Sequence, residues 1–317
     1  MSLLQASDTY KPFKYTWAVK LAETHEVMHW HEMETDLQDD VNQWKSGKLE
    51  KWEVNHITQI LRLFTQTDAQ VASNYCDLFI PTFKNNEIRQ MLLSFAAREG
   101  IHQRAYSLLN DTLGLPEGEY KAFLDYIEMS DKVEFMQDND VTTTKGLAKA
   151  LAQSACNEGM SLFSAFIMLL NYQRQGKMRG MCEVVLWSIR DESEHCKGMT
   201  QLFRQFCSEN PQIVSDGFKK EVYDMFRDAV SLEDRFIDLA YNLGEPDNLP
   251  KQVVKDYIRY IADRRLVQLG LKPNWGVESN PCPWFDWLVT GESHGNFFEG
   301  RVTDYSSEGL SGDSWGY

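Results

Sequence analysis

Proline falls at positions 12, 81, 116, 211, 246, 250, 273, 281 and 283 of the 317 residues, which leaves 13–80 and 117–210 free of it. Proline inside a helix costs about 3 kcal/mol. Long proline-free runs with apolar residues at helical spacing therefore predict long helices. The sequence has no Asn-Gly, a single Asp-Gly and few alternating β-branched stretches, so hairpin signals are nearly absent. The expected fold class is all-α. Apolar spacing places helices at about 14–30, 53–78, 86–113 (closed by Gly114 and Pro116), 117–129, 144–173, 178–207, 212–243 and 249–268. No repeat of fixed period is present. From Gly291 to Tyr317 the chain has six glycines and five serines with little periodicity, and it reads as a flexible tail. The expected division is a helical domain over 1–290 and a tail over 291–317.

A chain of this length can bury a core without disulfide or metal staples, so any metal site would be there for function. Thirty-two Lys and Arg against 47 Asp and Glu give a net charge of −15. That balance argues against a general binder of nucleic acid or anionic membranes, which needs basic surface. The longest apolar stretch, Met160 to Leu170, is too short to span a bilayer. The first residues, MSLLQASDTYKPFKY, lack the apolar core and cleavage site of a signal peptide. The six cysteines form no CxxC pair, which fits reduced thiols and an expected cytoplasmic location.

Glu-x-x-His on a helix puts a carboxylate and an imidazole on one face, one turn apart, as two ligands for one metal. The pattern occurs four times: Glu26–His29, Glu53–His56, Glu99–His102 and Glu192–His195. Their faces differ. Glu99 and His102 lie on the stripe Leu92, Phe95, Glu99, His102, Tyr106, Leu109, and Glu192 and His195 on Val185, Ser188, Glu192, His195, Met199, Leu202. Both stripes should face the core. Glu53–His56 sits in a polar helix start, KSGKLEKWEVNH, and is expected at the surface. Glu26–His29 shares a face with Val19, Ala22 and Met33, but His25, His31, Glu32 and Glu34 around it suggest a solvated region, so it is left out of the site.

Two lone acids also fall on apolar stripes: Asp68 in Ile57, Leu61, Phe64, Asp68, Val71, Tyr75, and Glu158 in Leu151, Ala155, Glu158, Leu162, Phe166. An isolated buried charge costs several kcal/mol unless compensated. The order is acid then Glu-x-x-His, twice, at gaps that suit two helix hairpins. This is the ligand arrangement of ferritin-like di-metal carboxylate bundles. Four carboxylates balance two divalent cations, and oxygen-rich ligation with one histidine per metal suits iron or manganese better than zinc. A glycine follows two of the acids, as Gly100 and Gly159. Such glycines serve either tight helix packing or a looser backbone that lets the carboxylates change coordination.

Asp68, Glu99-x-x-His102-x-x-x-Tyr106, Glu158 and Arg190-Asp191-Glu192-x-x-His195 together resemble the small, radical-generating subunit of class I ribonucleotide reductase. The resemblance runs from about residue 14 into the tail and includes YIADRRLVQLGL and NPCPWFDWL. An Asp as the first ligand and a Tyr four residues after the first His separate it from ferritins, desaturases and bacterial multicomponent monooxygenases. It implies a ferritin-like bundle with two buried metal ions, Fe/Fe as the expected pair and Mn/Fe or Mn/Mn as alternatives. The ligands would be Asp68, Glu99, His102, Glu158, Glu192 and His195. It further implies oxygen-dependent oxidation of Tyr106 to a stable radical. A relay through Asp191, Trp30 and the tail residue Tyr305 would carry the oxidising equivalent to a separate large subunit, where ribonucleotides are reduced. The tail would dock on that subunit, and the small subunit would be a homodimer. Where family members often carry Phe and Ile near the radical tyrosine, this chain has Leu162 and Ser188, while Phe166 is retained.

Two other readings stay open on the residues alone. One is a di-iron oxygenase on the same bundle, which should show an apolar substrate cavity beside the metals. The other is iron storage or a helical scaffold, the latter binding no metal.

Overall fold

A computed structural model describes residues 2–137 and 139–288; Tyr305 and the expected tail lie outside the described residues. The described chain is helical throughout, with no strand. Ten helices carry it: α1 Thr16–Val27, α2 Gln38–Lys45, α3 Lys51–Ser73, α4 Asn86–Leu113, α5 Ile127–Gln137, α6 Thr144–Cys156, α7 Phe163–Leu170, α8 Arg179–Glu209, α9 Asp216–Ala240 and α10 Lys251–Gln268. None is long and apolar enough to cross a membrane.

Local chemistry sets the ends. Asn85 accepts from the Ile88 amide and starts α4, Thr143 accepts from Gly146 and starts α6, and Ser215 accepts from Phe218 and starts α9. Gly114 closes α4 in the left-handed region at φ 79°, a conformation that costs most other residues a steric penalty. The buried Asp40 of α2 accepts from the amides of Gly180 and Met181 and so caps α8 from another helix.

Helix α3 packs along α4, and α6 along α8, while α1 covers α4, and α9 packs on both α5 and α10. The apolar stripes of α3, α4, α6 and α8 face one another, and the expected acids sit where those stripes meet.

The structure departs from the sequence expectations in four places. The single helix expected over 144–173 is broken: after α6 the chain makes a wide π turn over Asn157–Ser161 before α7 begins. A second π turn, Asn74–Phe79, follows α3. Such turns insert an extra residue and re-aim side chains, which periodicity averaged over a long window does not reveal. The helix expected over 117–129 is instead the short turns Glu119–Ala122 and Phe123–Asp125, followed by α5. Helix α2 was not anticipated, because its apolar content is low.

Candidate di-metal centre

Helix α3 brings in Asp68, α4 brings Glu99, His102 and Tyr106, the π turn after α6 brings Glu158, and α8 brings Ser188, Asp191, Glu192 and His195. All are buried. Their ligand atoms form two overlapping groups, Asp68–Glu99–His102–Glu192 and Glu99–Glu158–Glu192–His195, each with its atoms within 4.8 Å of one another. Glu99 and Glu192 belong to both. His102 Nδ1 lies 3.2 Å from Glu192 and 3.5 Å from Glu99, and His195 Nδ1 lies 2.9 Å from Glu99 and 3.4 Å from Glu158.

These contacts are not hydrogen bonds of good geometry. Asp68 Oδ2, both Glu99 oxygens, His102 Nδ1, Glu192 Oε2 and His195 Nδ1 are buried without a hydrogen-bond partner. Each such atom costs about 1–3 kcal/mol, more where it is charged. Six such atoms, from three carboxylates and two imidazoles, gather in one core, and with Glu158 beside them the donor set of four carboxylates and two imidazoles fits two divalent cations. Electrostatics agree. Burial pushes the Asp68 carboxyl well above its usual range, with Glu99 and Glu192 adding to it. Burial would lower His102 and His195, yet the surrounding carboxylates raise both well above normal. Protons and metal ions compete for the same atoms here.

Around this cluster the two histidines differ. His102 Nε2 lies 3.2 Å from Asp191 Oδ2, which also accepts from Trp30 Nε1 at 2.6 Å. Burial would raise Asp191, but the bond to His102 and the charges of His102 and Arg98 hold it at about 2. Trp30 is buried and stacks on the His102 ring at 5.8 Å. Trp30, Asp191 and His102 are therefore joined as the resemblance implies. His195 Nε2 instead meets His25 Nε2 at 3.1 Å. Burial, with His195 beside it, pushes His25 down to about 2.

Tyr106 is buried one turn beyond His102, stacked on Phe64 at 4.6 Å, and Phe64 in turn stacks with Phe166 at 5.3 Å. Its phenol donates to Ser188 Oγ at 3.0 Å, and Ser188 donates to the Val184 carbonyl. Burial pushes the phenol well above its ordinary value, with Asp68 adding to the effect.

Sequence reasoning missed four residues. Tyr75, the end of the Asp68 stripe, donates to Glu158 Oε2 at 2.6 Å, while Ser154 donates to Oε1 at 2.5 Å. Arg265, within YIADRRL, donates to the Gly159 carbonyl at 2.8 Å and ties down the π turn. His25, expected to be solvated, is fully buried; it sits on the inner face of α1, whose neighbours Glu26 and His29 point outward. A Cβ on Gly159 would come within 2.5 Å of both Cys196 Sγ and Arg265 Nε, so close packing accounts for that glycine.

Glu53–His56 corrects a second expectation: both are buried, not exposed. Glu53 closes a capping box with Glu50 and pairs with Lys177 at 2.7 Å, and His56 Nδ1 meets Tyr172 OH at 3.0 Å. Trp52, Tyr172 and Tyr241 roof the pair. It lies in neither ligand group.

The family model "Ribonucleotide reductase, small chain" matches residues 7–281. A probable ribonucleoside-diphosphate reductase small subunit of Invertebrate iridescent virus 3 is 40% identical, covering 99% of this chain and 88% of its own. The ribonucleotide reductase R2 subunit from Clostridium botulinum superposes with a TM-score of 0.83 at 22% identity, over 91% of this chain and 94% of that one. Streptococcus sanguinis dimanganese(II)-NrdF gives 0.77 at 18% identity, over 90% and 98%. The two solved structures speak for the fold alone. The family model and the viral relative run through the whole ligand set, and by them this chain belongs to the small-chain family of ribonucleotide reductase.

Proposed function

We propose that this small subunit generates a radical at Tyr106 and passes the oxidising equivalent to a large subunit that reduces ribonucleoside diphosphates. The observation that carries the reading is a buried, hydrogen-bonded tyrosine one turn from a cluster of four carboxylates and two histidines in which six buried ligand atoms have no hydrogen-bond partner. Asp68, Glu99, His102, Glu158, Glu192 and His195 would hold two metal ions. An iron pair is favoured, with Mn/Fe and Mn/Mn as the alternatives that the same oxygen-rich set accepts. When bound, the ions supply the oxygen-dependent oxidising power that the side chains lack.

The side chains supply the rest. Burial disfavours the tyrosinate, so Tyr106 stays a neutral phenol until oxidised and must lose its proton together with its electron. Ser188 fixes the direction of that O–H. Phe64, packed in turn on Phe166, covers the ring and keeps water from it. On the other side of His102, an oxidised Trp30 can leave its indole proton with Asp191 across the 2.6 Å bond and recover it when an electron returns. Tyr305 would carry the relay onward in a tail, 291–317, that docks on the large subunit, while 1–290 forms the helical domain. The working unit would be a homodimer in the cytoplasm, with no role for nucleic acid or membrane.

Mixed with its large subunit, the metal-loaded chain should support conversion of ribonucleoside diphosphates to deoxyribonucleotides, and Tyr106→Phe should not. Undiminished turnover by that variant would refute the role of Tyr106.

A further inference from the structure

Glu26–His29 supplies no ligand, yet His25 beside it is buried against one. His25 has polar neighbours on both sides. Its Nε2 lies 3.1 Å from His195 Nε2, and its Nδ1 lies 2.7 Å from Ser94 Oγ. Ser94 Oγ is 3.1 Å from Oε1 of Glu26, which is exposed. These groups form an unbroken file from the surface to a residue of the ligand set.

Counting protons fixes its direction. The Nε2–Nε2 contact holds one proton, since two would clash and none would oppose two lone pairs. Ser94 has a single O–H, and an ionised Glu26 can only accept. To bond both neighbours, Ser94 must donate to Glu26 and accept from His25. The His25 proton is then on Nδ1, its Nε2 is bare, and that nitrogen accepts from His195 Nε2–H. A neutral His195 with its proton on Nε2 has a bare Nδ1, the atom that faces Glu99 at 2.9 Å, Glu158 at 3.4 Å and Glu192 at 3.5 Å. In the reversed file Ser94 would donate to His25, and its lone pairs would face the Glu26 carboxylate with no proton between them.

We propose that Glu26, Ser94 and His25 are positioning residues that lock His195 in the tautomer whose Nδ1 is free to bind a metal ion. The inference rests on the di-metal reading above. On His102 the same task falls to Asp191, a charged group in direct contact with Nε2. On His195 the charge of the file, Glu26, stands two groups further out, at the surface, where water and salt screen it, and the buried Asp191 reaches only His25, its Oδ1 3.9 Å from Nε2. The ion beside His195 is accordingly the more readily released.

The test uses the full chain loaded with Mn(II) and challenged with excess EDTA, with release followed by the electron paramagnetic resonance of free Mn(II). Two phases are expected. Ser94→Ala and Glu26→Gln should speed the faster phase about tenfold, within the range for lost outer contacts to a ligand histidine, and leave the slower one unchanged. Ser94→Thr keeps the hydroxyl and should release like the wild type. Nitrogen-15 resonance of the metal-free chain reads His25 directly: its proton should be on Nδ1 in the wild type and Ser94→Thr. A wild-type proton on Nε2 overturns the proposal, as does identical Mn(II) release from all four proteins. Failure of the wild type to bind Mn(II) would count against the di-metal reading itself, and the His25 tautomer in the metal-free chain tells the two failures apart.

Discussion

The His102 and His195 halves of the centre start from one sequence pattern, a lone acid followed by Glu-x-x-His, and end in different surroundings. Each offers one imidazole Nδ1 inward and shares Glu99 and Glu192 with the other. Outward, His102 is joined to Asp191 and Trp30, an ionised acid and an oxidisable indole, with Tyr106 one turn along the same helix. His195 is joined to His25 and Ser94, and its partner acid Glu158 is fastened by Tyr75 and Ser154. Neither His25 nor Ser94 is readily oxidised. The inner candidate ligands are nearly symmetric, as two cations would require, while the groups behind them differ: on the proposed function one half would carry electron transfer, and the other is braced.

The largest effect should come from the residues the halves share. Glu192→Ala should leave the chain with neither ion, whereas Asp68→Ala should lose only the ion beside His102, as read by metal analysis after desalting. Equal loss in both variants would erase the distinction. Next is the wiring. Trp30→Phe should still form the Tyr106 radical, but deoxyribonucleotide production should fall to the level of the large subunit alone. Oxidation of Tyr106 lost along with turnover would place Trp30 in radical formation instead.

Stability effects are smaller. Gly159→Ala forces a Cβ against Cys196 and Arg265 and should cost about 1–3 kcal/mol in denaturant unfolding. Gly100→Ala meets only Arg104 at 3.7 Å and should be neutral or stabilise by up to about 1 kcal/mol. Equal effects of the two would remove packing as the reason for Gly159. Glu53→Gln weakens the bond to Lys177, which is partly exposed, and should cost about 1 kcal/mol with unchanged metal content. A change in metal content there would mean that the second Glu-x-x-His pair is coupled to the centre after all.

The candidate ligand set was legible because each of its members breaks an apolar stripe at core spacing, a cost that metal binding would offset. Trp30 and Asp191 were legible only through the family resemblance, since nothing in their local spacing marks them. The surroundings of Glu158 were not legible. Its π turn depends on Arg265, more than a hundred residues away in sequence, and on a donor, Tyr75, that reads as an ordinary core tyrosine. Glu53 and His56 misled in the opposite direction: a polar helix start looks solvated until Trp52, Tyr172 and Tyr241 close over it. His25 misled for the same reason, its inward face being hidden among exposed neighbours. In each case burial comes from distant segments, which local spacing does not encode.

On the proposed function, the His102 half delivers an oxidising equivalent to Tyr106. An electron paramagnetic resonance spectrum of the full chain after addition of Fe(II) and oxygen tests it most directly. A tyrosyl signal in the wild type that is absent from Tyr106→Phe is the predicted result. A chain that fills both metal positions, with iron or with manganese, and never yields a signal from Tyr106 would contradict it.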